Sequence, residues 1–215
     1  MFSSAIERLN DRRDAVGDTG EDAGFTLIEL MVVLLILAIL LAIAIPTFLG
    51  VTKSANDRAA QSNLNTALVN AKSIFQNNSQ SYALAGGTGT ASQTANNASM
   101  VASLLSAEPN LSFVAGSVSN TGTGAAQISV AVAPDGNGVA LAAQAKGTSN
   151  CWYVVDNAAA ETWITTTTGN PLAAGTWYGE QKNPGTGTVP VCNASALPTA
   201  ASTTVLWQQS SFPNL

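Results

Sequence analysis

The 215-residue sequence has no histidine, two cysteines, and charged residues at 10% of the total, against about 25% in an ordinary soluble domain. Without histidine there is no Ser-His-Asp triad, no Cys-His dyad and no histidine-ligated metal. Cys151 and Cys192 lack C-x-x-C spacing, and two cysteines alone do not build a zinc site. Eight bases against thirteen acids give a net charge of -5, which rules out a nucleic-acid-binding surface, since that needs a basic stripe. Aromatic residues are 6% and form no evident array for carrying electrons. Hydrophobic residues remain at 46%, so Ala, Ser, Thr, Gly and Asn have replaced the missing charge. The length fits one or two domains. The sequence offers no catalytic, cofactor-binding or metal-ligating set, which weakens enzyme readings and leaves a structural role at a membrane or surface.

What the sequence does contain is concentrated near its start. Residues 1–24 are polar, with three arginines against six acids. From Phe25 to Ile45 only Thr26 and Glu29 are polar, and from Leu30 to Ile45 nothing is. As a helix this run spans about 31 Å, the thickness of a bilayer hydrocarbon core. It reads as a transmembrane helix rather than a buried core helix, because soluble cores rarely use so long and uniform a run. A secretory signal peptide has an apolar region of about 7–15 residues ending near small residues. Here such a cut would fall near Ala42-Ile43-Ala44, directly before Pro46, and the leader is acidic rather than basic.

Glu29 is the anomaly. An acidic side chain at the centre of a membrane helix costs about 2.5–3.5 kcal/mol, and less near an end where it can snorkel. Either Glu29 snorkels, or it meets a cation inside an assembly. No Lys or Arg lies between Arg13 and Lys53, but a cut just before Phe25 would create an α-amine.

The stretch Gly24-Phe25-Thr26-Leu27-Ile28-Glu29-Leu30 resembles the class III signal motif of type IV prepilins. The similarity continues through Met31-Val32-Val33 to Ala42-Ile43-Ala44-Ile45-Pro46 and weakens toward residue 82. The acidic flank of the cleavage site and the later Cys151-Trp152-Tyr153 look most like pilins of high-GC Gram-positive bacteria. The resemblance implies that a prepilin peptidase cuts after Gly24 and that Phe25 becomes the N-methylated terminus. It implies that Glu29 pairs with the terminal amine of a neighbouring subunit, setting register in the filament. Pro46 removes the helical partner of the Ala42 carbonyl, so a kink is expected there. Family members are partly unwound nearby, often from a glycine that here is Ala38. The partners implied are copies of the chain, the peptidase, an assembly platform with its ATPase, and the membrane before assembly.

Beyond Pro46 the helix is expected to continue to about residue 78, with an apolar stripe through Val51, Ala55, Ala59, Leu64, Leu68, Ala71 and Phe75, joined by Ile74. Residues 79–99, rich in Ser, Thr, Ala, Gly and Asn, read as a loop. Met100–Leu105 suits a short helix stopped by Pro109. Strands are expected at Leu111–Val114, Ala126–Ala133, Val139–Ala143, Cys151–Val155, Thr162–Thr168 and Thr203–Trp207, with Asp135-Gly-Asn-Gly138 turning a hairpin. The fold class is therefore α+β: a long N-terminal helix, apolar and then amphipathic, packed on a C-terminal antiparallel sheet. The domains are a leader at 1–24, the helix at 25–78 with a membrane or filament-core half at 25–45, and a globular domain at 79–215.

The leader motif, not the sparse flanking charge, orients the globular domain outward. Two cysteines outside the cytoplasm imply one disulfide, Cys151–Cys192, bounding a loop common in the family; two unpaired buried thiols are the alternative. Asn183–Thr188 within that loop reads as flexible and accessible. Asn77, Asn97 and Asn193 each fit N-x-S, a weak signal. Asp135-Gly-Asn-Gly138 lacks the carboxylates of a calcium loop. Asp156 and Glu161 fit a solvated strand connection better than a glycosidase pair. Trp152, Trp163, Trp177 and Trp207 fit core and rim positions, with glycan stacking as the alternative. The reading is a type IV pilus subunit, present in the membrane and then on the cell surface as a fimbrium, and not an enzyme. A pseudopilin or minor pilin of a secretion or DNA-uptake machine, and a membrane-anchored surface enzyme, are the competing readings.

Overall fold

The computed structural model describes residues 25–116, 127–165, 171–185, 190–197 and 205–213. The expected leader, Gly24 included, lies outside the described residues, as do 126, 166–168 and 203–204 of three expected strands and 186–188 of the loop before Cys192. The chain divides into two compact units, Met1–Phe48 and Leu49–Leu215. Helix α1, Leu27–Asn77, contributes to both.

In the first unit every described residue is exposed, Phe25 at 87% and Leu27 at 77%. The segment is long and apolar enough to cross a membrane, and none of it is buried within the chain. A helix apolar on all sides needs lipid or other helices around it.

In the second unit α1 becomes one-sided. Asp57, Ala60, Leu64, Ala67, Leu68 and Ala71 are buried, at steps of one to four that keep them on one face. The expected stripe needs correction at its start: Val51, Ala55 and Ala59 are exposed, and Asp57 and Ala60 take the inward positions. Leu64, Leu68 and Ala71 are buried as expected, with Ile74 and Phe75 half-buried beside them.

A six-stranded sheet receives that face. It has the order β1 (Ser112–Ala115), β2 (Gln127–Val132), β3 (Gly138–Gln144), β4 (Cys151–Asn157), β7 (Gly175–Gln181), β8 (Val205–Gln208). A two-stranded ribbon pairs β5 (Glu161–Thr165) with β6 (Pro171–Leu172). Every pair is antiparallel except β1–β2, which is parallel. The α+β architecture matches the sequence pattern, with that one parallel pair as an amendment.

Alternation along β2, β3 and β4 sorts residues to two faces. Ile128, Val130, Val132, Val139, Leu141, Ala143, Trp152 and Val154 join the α1 face in one core cluster. Ala131, Ala140, Ala142, Cys151, Tyr153 and Val155 form a second cluster with Leu172, Cys192 and Ala194. Both faces of the central strands are covered, so β3 is buried at all seven positions.

Residues 79–99 are not all loop. Helix α2, Thr90–Ala107, takes in the second half of that stretch and the expected short helix. Its polar composition hides it because two of its inward residues are amides. Asn97 Oδ1 accepts the Val132 N–H at 2.7 Å, and Asn96 Oδ1 accepts the Ala85 N–H at 2.9 Å. Met100 and Leu104 continue the buried side. Strand β7 was not expected at all. Its Gly179 leaves room for Trp207, since a Cβ there would meet the indole at 2.9 Å.

Candidate functional site

Two parts of the structure are candidates: the start of α1, and the contacts that fix its second half to the sheet. At the start, Glu29 Oε2 accepts from the Thr26 N–H at 3.0 Å and from the Thr26 hydroxyl at 2.8 Å. The Thr26 oxygen in turn accepts the Glu29 N–H at 3.2 Å. This is a reciprocal capping box, which satisfies donors that a helix start leaves bare. The T-x-x-E spacing before an apolar run signals it in the sequence, so the role of Thr26 was legible and missed. Among the described residues the second Glu29 oxygen has no hydrogen-bond partner. Phe25, two residues before α1 begins, is exposed. Gly24, the residue before the expected cut, lies outside the described residues. Helix α1 passes Pro46 without interruption, and the Thr47 hydroxyl donates to the Ile43 and Ala44 carbonyls beside it.

In the second unit two carboxylates tie α1 to the sheet. Asp57, 2% exposed, accepts from Trp152 Nε1 at 3.0 Å and Thr148 Oγ1 at 2.8 Å through one oxygen. Asp156 on β4 accepts from the Tyr82 hydroxyl at 2.6 Å and Thr176 Oγ1 at 2.6 Å, and pairs with Lys72 Nζ at 2.9 Å. Burial and then the Asp156 carboxylate raise the Tyr82 pKa, so its phenol stays protonated and keeps donating. Asp156 is therefore a structural acceptor with its oxygens occupied, within a strand rather than in the solvated connection expected. Asp57→Ala would leave the Trp152 indole N–H buried without an acceptor. The expected cost is about 1–3 kcal/mol, read from the midpoint of denaturant unfolding, and Asp57→Asn, which keeps an acceptor, should cost less.

Glu180 on β7 stands opposite Trp152 on β4 and Leu206 on β8. It is 1% exposed, and neither carboxylate oxygen has a hydrogen-bond partner. Burial raises its pKa, Lys182 opposes that, and the Asp57 charge adds to the rise. The proton on Glu180 thus stabilises the fold. That contribution is complete below the ordinary value of 4.5 and is lost as pH climbs through the raised value. Glu180→Gln cannot ionise, so it should raise the thermal midpoint at neutral pH and leave it nearly unchanged in acid. A thermal melt series across pH checks this; a neutral-pH midpoint lower than the parent's would refute it.

Cys151 and Cys192 form a disulfide with Cα atoms 5.3 Å apart. It joins the start of β4 to a segment whose Ala194 N–H donates to Ser129 Oγ at 3.1 Å. Asn183 is half-buried, while Pro184 and Gly185 are exposed. Asn97 is 6% exposed and its side-chain oxygen is engaged, so its N-x-S triplet is inaccessible in the folded chain. Trp152 is core, and Trp163, Trp177 and Trp207 pack half-buried at the edge of the second cluster. Among the described residues no group of three or more His, Cys, Asp or Glu is placed to hold a metal.

Comparison with known proteins bears first on the class of the N-terminal segment. Residues 21–45 match the prokaryotic N-terminal methylation motif. Among individual proteins, the chain is 46% identical over 59 residues to the type IV wide pilus major component PilA4 of Thermus thermophilus. That alignment covers 27% of this chain and 44% of the relative, so the chain spans less than half of its length. No solved structure matches the chain.

Proposed function

We propose that the chain is a structural subunit of a type IV pilus. Residues 1–24 are a leader removed by prepilin peptidase, and Phe25 becomes the methylated terminus. Residues 25–78 are the assembly helix, with its apolar half at 25–45 in the membrane first and in the filament core afterwards. Residues 79–215 form the extracellular head, and an assembly platform with its ATPase moves the subunit from one state to the other. The observation that carries this reading is the methylation motif at residues 21–45 beside a helix whose apolar N-terminal part lies uncovered.

The chemistry of Glu29 supports the same role. One of its oxygens closes the helix start through Thr26, and the other is left for the α-amine of a neighbouring copy. N-methylation keeps that amine cationic. Charges that meet away from water attract far more strongly than in bulk solvent, so the pair discriminates among registers. The capped start thus presents the carboxylate in a fixed position. The methylation motif and the pilin relative support a structural role over the surface enzyme.

The minor-subunit reading differs in abundance. The relative is named a major component, which supports the major-subunit role here. Filaments sheared from cells and resolved by mass should contain this chain as their most abundant subunit. A trace amount in otherwise normal filaments would favour a minor pilin, and its absence from sheared material would defeat the proposal.

A further inference from the structure

Along the exposed side of α1 in the second unit lies a groove of about 460 Å³. Arg58 stands at one end and Val69 at the other, with amides and hydroxyls from two helical turns between them. Phe212 borders the groove, held by edge contacts to Trp152 and Tyr178 with ring centroids 5.6 Å and 4.8 Å away. Arg58 is the one charged residue of the described lining. Among the described residues it has no ion pair and no hydrogen-bond partner. Its sequence neighbour Asp57 is turned inward and bonded to Trp152 and Thr148. The groove therefore carries a positive charge that no acid of its lining answers.

The complementary charge lies elsewhere on the same unit. Asp135 is the one exposed acid among its described side chains. It sits in the turn between β2 and β3, where its oxygens accept the Asn137 N–H at 3.0 Å and Asn137 Nδ2 at 2.8 Å. Those neutral donors hold the carboxylate in place and leave its charge uncancelled. The turn is anchored past the end of α1, where Gly136 O accepts the Tyr82 N–H at 2.8 Å. Arg58 precedes Asn77, the last residue of α1, by nineteen positions, about 28 Å of rise. Arg58 and Asp135 of one copy therefore do not meet.

We propose that the Arg58 groove receives the Asp135 turn of a second copy, as a head-to-tail contact between subunits of the filament. The inference rests on the pilus reading above. A contact between two different patches of one molecule can repeat without closing and build a helical filament, whereas a patch that meets itself stops at a dimer. Arg58 and Asp135, held apart on one unit, supply two such patches of opposite charge. The guanidinium presents a planar fork of donors that suits a carboxylate, and the amides and hydroxyls of the groove suit the polar turn around it. One exposed ion pair contributes little by itself. Its role is orientation, because like charges set against each other at an interface are far more costly than the pair is favourable.

The test expresses the full chain as parent, R58E, D135R and the double reversal, and compares sheared and cell-bound fractions by immunoblot. Each single reversal should cut the sheared fraction several-fold, while the cell-bound chain is still trimmed before Phe25. The double reversal should restore most of the loss. K146E, which reverses an exposed base outside the groove, should not rescue D135R. Normal piliation by both single variants would overturn the proposal, as would a double variant no better than the worse single, or rescue of D135R by K146E. A defect in R58E with none in D135R would give the groove to another anionic partner and overturn the second copy as occupant. Cross-linking gives a readout that reversed charge does not disturb. Sheared filaments of the S62C, D135C variant, oxidised with diamide, should run as a ladder of covalent multimers without reductant, and either single cysteine variant should not. Assembled filaments that give no ladder would count as decisively against the contact. A parent chain absent from the sheared fraction defeats the pilus reading itself, whereas a parent that assembles beside variants that assemble equally well defeats this contact alone.

Discussion

Glu29→Ala is expected to abolish or sharply reduce surface filaments while cleavage before Phe25 continues. This substitution removes together a cap that the structure contains and the counter-charge role proposed for the filament. The side chain accepts from the Thr26 N–H and hydroxyl, a cap whose loss costs about 1 kcal/mol of helix stability. In the filament it would also leave a neighbour's cationic amine without its counter-charge, which costs about 3–5 kcal/mol in a dry setting. At about 1.4 kcal/mol per tenfold, the second loss dominates. Glu29→Gln separates the two, because glutamine also serves in a capping box but carries no charge. It should therefore keep the helix start and still fail to assemble. Immunoblots of sheared and cell-bound fractions, with the N-terminus read in each, distinguish the outcomes. Normal piliation by the glutamine variant would mean that the cap, not the charge, is what assembly requires.

Loss of the disulfide should have the largest effect on the head itself. The Cys151–Cys192 bond closes a separation of 41 residues, for which the chain-entropy model gives about 4 kcal/mol. Both cysteines are fully buried in a cluster with Ala131, Ala140, Ala142, Tyr153, Leu172 and Ala194, and the bond adds to the hydrogen bonds that Pro190 O and Ala194 N–H make to the sheet. The double variant Cys151→Ala, Cys192→Ala avoids placing hydroxyls there and should unfold at a clearly lower denaturant midpoint. Reductant should lower the parent's midpoint by a similar amount and leave the variant unmoved. A change below about 1 kcal/mol would show that the covered outer face of the sheet holds itself without the bond.

The features legible in the sequence are those set by short-range pattern. The apolar run at 25–45, the hairpin around Asp135-Gly136-Asn137-Gly138 and the alternation in β2, β3 and β4 need no knowledge of distant partners. What escaped depends on partners far along the chain. Asp57 looks like a solvent residue until Trp152 and Thr148, more than ninety positions away, are brought to it. Helix α2 looks like linker because Asn96 and Asn97 serve backbone groups of a loop and a strand. Strand β7 is broken by Gly179 and ends in Glu180-Gln181, and it reads as a strand only once β4 and β8 flank it. Thr26 is the exception, a local signal overlooked beside the more conspicuous Glu29.

The central claim is that the chain is trimmed before Phe25 and then polymerises with its copies. Mass spectrometry of the N-terminus in surface-sheared filaments tests it most directly. The predicted subunit is the 191-residue remainder of the 215-residue chain, 215 - 24 = 191, beginning at N-methylated Phe25. A chain that begins at Met1 or after Ala44, or that remains in the cell membrane and never enters the sheared fraction, would contradict it.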